Sequence, residues 1–591
     1  MSGQTDAVML EIVGNLLLSI AEEMGVAIIK SAYSNNIKER RDISTAMFDP
    51  EGNMVAQAEH VPMHLGSLLG IIGEVYKKFS KEDIRPGDMF IGNDPYNGGG
   101  THLNDITIAA PIFAPNGKLI GWAANLAHHS DIGGKEPGST CGDAINIFQE
   151  GLKIPLVRVC SKGEPLADIL DFVLANSRIP GERYGDLQAQ IAANRVGARR
   201  LLDAYARYGD LLVDCMHELQ RYAERRLRAG IQKLPDGEYS FVDYMDDAGV
   251  ASPDPVKISV KITIKGDDLH VDFAGTQGQV AGPINITWNG MLAAVFYSLK
   301  ALIDPGSPSN AGIYRAFSVE AEPGMILNAK NPAAVGERID TAMRIADVVF
   351  GALAPAAGER SMAGSNGSCT TALFSGYDPK DPERYHVYME TIAGGAGAHR
   401  DMDGQSGVQI HMTNTSNLPV EALEMEFPLI LVQKYGLRPD SGGPGEFRGG
   451  LGIERVYEAV EDDVIYTGLG DRQRFEPWGL CGGQNGAGGR YFLTRAGSNQ
   501  QERLTSKCTG LVLQKGDVVQ VLTPGAGGWG DARLRNPEKV LRDVLRRRND
   551  HAAMNILPLE GEVMRHEQFY FMGWREESTP QPDLYHVPCK F

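Results

Sequence analysis

The chain has 591 residues, a formal charge of −18, seven scattered cysteines and 70 glycines, a glycine share well above the usual ~7%. That length can bury more than one core, so two or three domains are expected. The acidic balance excludes global steering of nucleic acid, which needs a basic surface. An odd cysteine count without a CxxC excludes a disulfide framework or a cysteine zinc site and reads as a reduced, cytoplasmic chain.

The N-terminus lacks the basic region of a signal peptide, and acidic residues interrupt its apolar stretch, so neither secretion nor a membrane span is expected. Met9, Ile12, Val13, Leu16, Leu17 and Ile20 recur at helical spacing and predict a helix from about Asp6 to Tyr33. The next stretch, ERRDISTAMFDPEGNMVAQAEH, reads as strand, turn, strand. A helix follows from about His64 to Phe79. A turn-rich loop, IGNDPYNGGGTHLN, then enters a strand from Asp105 to Phe113. Asn116-Gly117 marks a hairpin turn, and a second strand runs from Leu119 to His128. Both strands are apolar on both faces, which places the hairpin inside a sheet.

Residues 184–230 read as two long helices broken near Tyr208-Gly209-Asp210. Strand patterns begin at about Gly237, helices recur at 288–303 and 338–356, and a Gly-rich, β-rich region fills 385–530. A short helix follows Pro537. The fold class expected is α+β and multi-domain, mixing helices with largely antiparallel sheets. The expected divisions are a metal-site domain with long helices (1–235), a middle α/β domain (236–384), a Gly-rich β domain (385–548) and a tail that contacts a partner (549–591).

The hairpin register carries the first chemical signal. With Asn116-Gly117 at the turn, Asp105 lies opposite His128 on one face, with Cβ atoms roughly 4.5–5.5 Å apart. That separation suits two ligands of one ion, whereas a one-residue slip would substitute His129. His102 sits three residues before Asp105 at the strand mouth. Two imidazoles and a carboxylate suit Zn²⁺, Mn²⁺ or Fe²⁺. A fourth ligand must come from elsewhere, and Asp42 is the best candidate. In the competing reading, His102 and Asp105 cap a turn and His128 is a satisfied core histidine.

At these residues the chain resembles the B-type subunit of the hydantoinase/oxoprolinase family. The resemblance rests on IKERRDISTAMFDPEGNMVAQAEHVPMHLGS, GDMFIGNDPYNGGGTHLNDITIAAPIF, ANLAHHSDIGGKEPGS, IFQEGLKIP, HMTNTSNLPVEALE, DSGGPGEFRGGLG, DRQRFEPWGLCGG and TPGAGGWGD, spanning roughly residues 8–548. It implies one divalent metal, zinc foremost, with manganese or iron as alternatives, held by Asp42, His102, Asp105 and His128. It also implies an A-type partner subunit that binds ATP and magnesium and phosphorylates a carbonyl oxygen, in an (αβ)2 heteromer. The substrate would be a small molecule: a hydantoin, oxoproline or another lactam. Related ketone carboxylases (acetone and acetophenone types) supply the first alternative, and a non-catalytic scaffold subunit the second. The chain has no GxxxxGK[ST] loop, which agrees with ATP binding on a partner.

A lactam resists attack, and phosphorylation of its oxygen creates a leaving group. A metal can lower the pKa of bound water from ~15.7 to about 7. His129 and Asp131 are candidates for a proton carrier or an orienter of that site. Asn93, Asp94 and His64 are candidates for substrate contact, each weighed against a turn-shaping or capping role.

Overall fold

The structure is a computed structural model, which describes residues 6–58 and 60–546. The expected tail at 549–591 lies outside the described residues.

A seven-stranded antiparallel sheet organises the N-terminal part, in the order β2-β1-β5-β4-β3-β6-β7. Its strands are β1 (Ile43–Phe48), β2 (Met54–Gln57), β3 (Met89–Gly92), β4 (Asp105–Phe113), β5 (Leu119–His128), β6 (Val157–Ser161) and β7 (Glu164–Pro165). The β4–β5 hairpin is central, as its two-sided apolar pattern requires, and nearly every residue in it is buried.

Helix α1 (Ala7–Ser31) starts where the Asp6 carboxylate caps the amide of Val8. Among the described residues it alone is long and apolar enough to cross a membrane, a feature not expected from its interrupting acidic residues. It instead buries Val13, Leu17, Ile20, Met24 and Ile28 in a core shared with Met47, Ala123 and Ala193. Short helices α2 (Asn35–Lys38) and α3 (His64–Ser67) flank the strand mouths. The helix expected over 64–79 is split, with α4 (Ile71–Lys78) resuming after a break at 68–70. Helix α5 (Ala167–Leu174) leads to the long pair α6 (Pro180–Tyr208) and α7 (Leu211–Ile231), broken where the sequence places the break. Helix α6 lies on the hairpin and sends polar groups into it. Gln190 donates to the Ile106 carbonyl (2.8 Å), and Asn194 donates to that of Ile108 (2.9 Å).

A four-stranded sheet follows: β8 (Gly237–Met245), β9 (Val256–Lys265), β10 (Asp268–Asp272) and β11 (Phe317–Glu320), the β10–β11 pair being parallel. Helix α9 (Arg338–Ala357) packs on it and is buried on nearly all sides, and helix α8 (Trp288–Ile303) packs against α9. The C-terminal sheets are antiparallel. One joins β12 (Thr370–Asp378), β13 (Asp381–Ile392), β16 (Val464–Leu469) and β19 (Lys507–Leu513). After α10 (Val420–Glu426), the other joins β14 (Ile430–Leu437), β15 (Ile453–Ala459), β17 (Arg490–Thr494), β18 (Gln501–Leu504) and β20 (Val518–Leu522). Helix α11 (Pro537–Leu545) closes the described chain. The fold is α+β with largely antiparallel sheets.

The hairpin turn differs from the simplest expectation. Gly117 donates to the Ala114 carbonyl and Ala114 to that of Lys118, which makes a three-residue loop with Gly117 at φ 82°. That loop alone would shift the register by one. Ile120 is an extra residue on β5, so Ile112 pairs with Gly121 and Phe113 with Leu119. This bulge restores the register, and Asp105 faces His128.

Candidate metal centre

The ends of β1, β4 and β5 meet the N-terminus of α9 and the strands β12 and β13 around a cavity of about 50 Å³. Arg40, Asp42, His64, His102, His128, Glu337, Arg338 and Thr391 are among its lining residues. The ligand atoms offered by His102, Asp105 and His128 all lie within 4.8 Å of one another. All three residues are buried, and the His102 and His128 ring centres are 4.9 Å apart.

The loop before β4 wraps tightly over Asp105. Gly100 has φ 102°, and a Cβ there would lie 2.7 Å from the Asp105 carbonyl oxygen. Only glycine fits that path without strain. Asp42 precedes β1, and its carbonyl accepts the amide of His128 (3.0 Å), which ties the two strand mouths together. His64 opens α3 and lies between the two carboxylates. Its Nε2 is 3.6 Å from Oδ1 of Asp42 and 3.9 Å from Oδ1 of Asp105.

The two carboxylates are arranged alike. Oδ2 of Asp105 accepts from Arg338 Nη2 (2.9 Å), and Oδ2 of Asp42 lies 3.5 Å from Arg40 Nη2. Their Oδ1 atoms face imidazoles. Oδ1 of Asp105 is 3.0 Å from Nε2 of His102.

The tautomers follow from the other ring nitrogens. Nδ1 of His102 donates to the Gly336 carbonyl (3.2 Å). Ser44 gives its hydroxyl proton to the Ile43 carbonyl (2.7 Å), so its oxygen accepts from Nδ1 of His64 (3.0 Å). The Nε2 atoms of His102 and His64 both point at carboxylate oxygens. Imidazole nitrogens and carboxylate oxygens converge on one gap, an arrangement that a cation fits.

Protons do not fill that gap readily. Burial and then the nearby Arg338 hold His102 below its ordinary value. Burial and His102 hold His128 well below its own. For Asp105, burial pushes upward, yet His102 and Arg338 outweigh it and keep the carboxyl well below the usual carboxylate range. The donor set of imidazoles and carboxylates, with hydrogen-bonded outer nitrogens, fits a divalent transition metal.

His128 adds one constraint. Asn36 donates to its carbonyl oxygen (2.6 Å) and also faces its Nδ1 at 3.0 Å. Metal binding through either ring nitrogen displaces the Asn36–Nδ1 contact, because a neutral ring with one bound nitrogen offers no acceptor to that amide.

Other sequence candidates are placed elsewhere. His129 points to the opposite face of the sheet, where its Nε2 meets Oε1 of Gln190 at 2.9 Å, and burial lowers it to about 4. Alternation of side chains along the chain separates it from His128. Asp131 is consumed by its own loop, accepting from Gly133, Gly138 and both the amide and guanidinium of Arg178. Neither is brought to the cavity. Asn93 spends its amide on the Leu103 and Leu152 carbonyls and its oxygen on the Ile154 amide. Asp94 caps the amide of Tyr96 and accepts from Asn97. Both shape the loop rather than line the cavity. His64 is brought to its centre. Sequence reasoning missed Arg338, Gly336 and Ser44 as braces of the site.

Residues 6–532 match the family model described as hydantoinase B/oxoprolinase. The chain belongs to the hydantoinase B/oxoprolinase family. Over 557 residues it is 33% identical to the B component of a putative D-/L-hydantoinase from Pseudomonas sp. (strain NS671), covering 91% of this chain and 92% of that one. The crystal structure of the ATP-dependent caprolactamase from Pseudomonas jessenii superposes with a TM-score of 0.86 at 31% identity, covering 94% of this hydantoinase B-family chain and 96% of the other. A nucleotide-free acetone carboxylase structure shares the fold, with a TM-score of 0.86 at 19% identity, over 93% of this chain and 79% of that one.

Proposed function

We propose that this chain is the B-type subunit of an ATP-dependent enzyme that opens a cyclic amide or imide of the hydantoin, oxoproline or lactam type. The observation that carries the site assignment is the convergence of His102 Nε2, His64 Nε2 and the Oδ1 atoms of Asp42 and Asp105 at one buried place. Asp42, His64, His102, Asp105 and His128 would hold one divalent metal, zinc by the character of the donors, with manganese or iron as alternatives. A metal bound there supplies Lewis acidity toward water or toward an activated carbonyl.

The protein's own groups do the rest. Arg40 and Arg338 hold the outer carboxylate oxygens and fix the inner ones toward the cavity. Gly336 and Ser44 set the imidazole tautomers. Most of the side chains that line the cavity are buried. ATP and magnesium would bind a separate A-type subunit that phosphorylates the substrate carbonyl, in a cytoplasmic (αβ)2 assembly.

The test is turnover by the complex purified with its partner. The expected result is ATP-dependent opening of at least one of hydantoin, 5-oxoproline and caprolactam, with one metal equivalent per chain. ATP-dependent consumption of bicarbonate with acetone or acetophenone, and no ring opening, would replace this reading with the carboxylase one. A complex free of metal and of both activities would leave a scaffold subunit.

A further inference from the structure

Three consecutive residues at the start of α9 reach the cavity. The Gly336 carbonyl orients His102, and the Arg338 guanidinium holds Asp105. Between them, Glu337 lines the same cavity and is 3% exposed. Its backbone is pinned on both sides: its amide donates to the Pro283 carbonyl (2.9 Å), and its carbonyl accepts from the amide of Asp340 (3.2 Å). Its side chain is not pinned, for Oε2 is buried without a hydrogen-bond partner. A buried carboxyl oxygen left unmet calls for a reason. Burial raises this carboxyl above its ordinary range against the pull of Lys507 and Arg338, and Glu150 adds to the rise. Such a group keeps its proton toward neutral pH.

The proposed reaction needs a proton at the ring nitrogen. Water added to the phosphorylated carbonyl carbon leaves that carbon bearing a hydroxyl, a phosphoryloxy group and the ring nitrogen. Phosphate is the better leaving group. Its loss returns the cyclic amide and spends the ATP for nothing. The ring opens only if the nitrogen receives a proton as its bond to carbon breaks.

We propose that Glu337 is the general acid that protonates the departing ring nitrogen. The carbon–nitrogen electron pair leaves with nitrogen, which takes the Glu337 proton. The hydroxyl on carbon loses its proton as the new carbonyl forms, and that proton restores the Glu337 carboxyl. The products of the step are an acyl phosphate and an amine, and a second water then releases the phosphate. This assignment rests on the function proposed above.

The test uses the whole complex in ¹⁸O-water with ATP and whichever cyclic amide the unaltered complex opens. For Glu337→Gln, ring opening should fall at least ~100-fold, while substrate-dependent ATP hydrolysis continues and metal content is unchanged. The unopened substrate should gain ¹⁸O at its carbonyl, because the original oxygen departs with phosphate. Glu337→Asp keeps a carboxyl and should recover part of the opening rate, and it serves as the reporting variant if the glutamine form fails to assemble. Opening by Glu337→Gln within about threefold of the unaltered rate would overturn the assignment. So would joint loss of opening and ATP hydrolysis with no ¹⁸O in the substrate. If the unaltered complex opens no cyclic amide or imide, the proposed function fails first, which separates the two failures.

Discussion

Arg338 holds Oδ2 of Asp105 at 2.9 Å and thereby aims Oδ1 at His102. The pair is buried on both sides. Removing one partner of such a pair leaves an uncompensated charge and typically costs about 3–5 kcal/mol. Arg338→Met should lower the denaturation midpoint accordingly. It should also weaken metal retention, because Asp105 loses the group that orients it. Equilibrium unfolding and metal analysis after dialysis check both effects.

His64 is expected to act as a ligand, and Ser44 fixes its tautomer. Ser44→Ala should weaken metal affinity by roughly 10–100-fold, the usual cost of losing a hydrogen bond behind a ligand. His64→Ala should lose more. Competition with a chelator of known affinity measures each. Unchanged affinity in His64→Ala would remove this residue from the ligand set.

Gly100→Ala places a Cβ against the Asp105 carbonyl at a backbone angle alanine avoids. The strain should cost about 1–3 kcal/mol, and the loop that carries His102 should shift with it. The expected outcome is a lower melting temperature together with reduced metal content. A merely local strain would lower the first and spare the second.

Glu150 gives a pH signature. It accepts the amides of Val335 and Gly336, and burial raises it from the ordinary 4.5 to about 8. A carboxyl raised on folding favours the folded state while protonated. Its contribution is therefore full below about pH 4.5 and is lost as pH rises toward about 8, at roughly 1.4 kcal/mol per pH unit. Glu150→Gln should abolish that component of the slope. Urea unfolding between pH 5 and pH 8 on both proteins measures it.

How much of this was legible in the sequence depended on how local the cause was. The opposition of Asp105 and His128 followed from strand alternation and a turn signal. It survived a misread turn because the bulge at Ile120 cancelled the shift. The helix break at Gly209 and the buried hairpin were similarly local. His64 was noticed, but its place between two carboxylates depends on how α3 docks on β1, which no short pattern encodes. Arg338 lies 233 positions from Asp105, so no spacing rule connects them. His129 and Asp131 drew attention through adjacency to His128. One step along the chain turns His129 to the other face, and Asp131 is used up by a loop that needs its carboxylate to form.

The ligand candidates all lie within the first 128 residues, whereas the groups that set their tautomers and charges include the tripeptide at 336–338. During synthesis, the candidate ligands therefore leave the ribosome long before their braces exist. A nascent N-terminal segment would offer the cell's metal pool a loose, unselective set of donors. Choice of metal would become stringent only after α9 docks, which would make metal loading a late step of maturation.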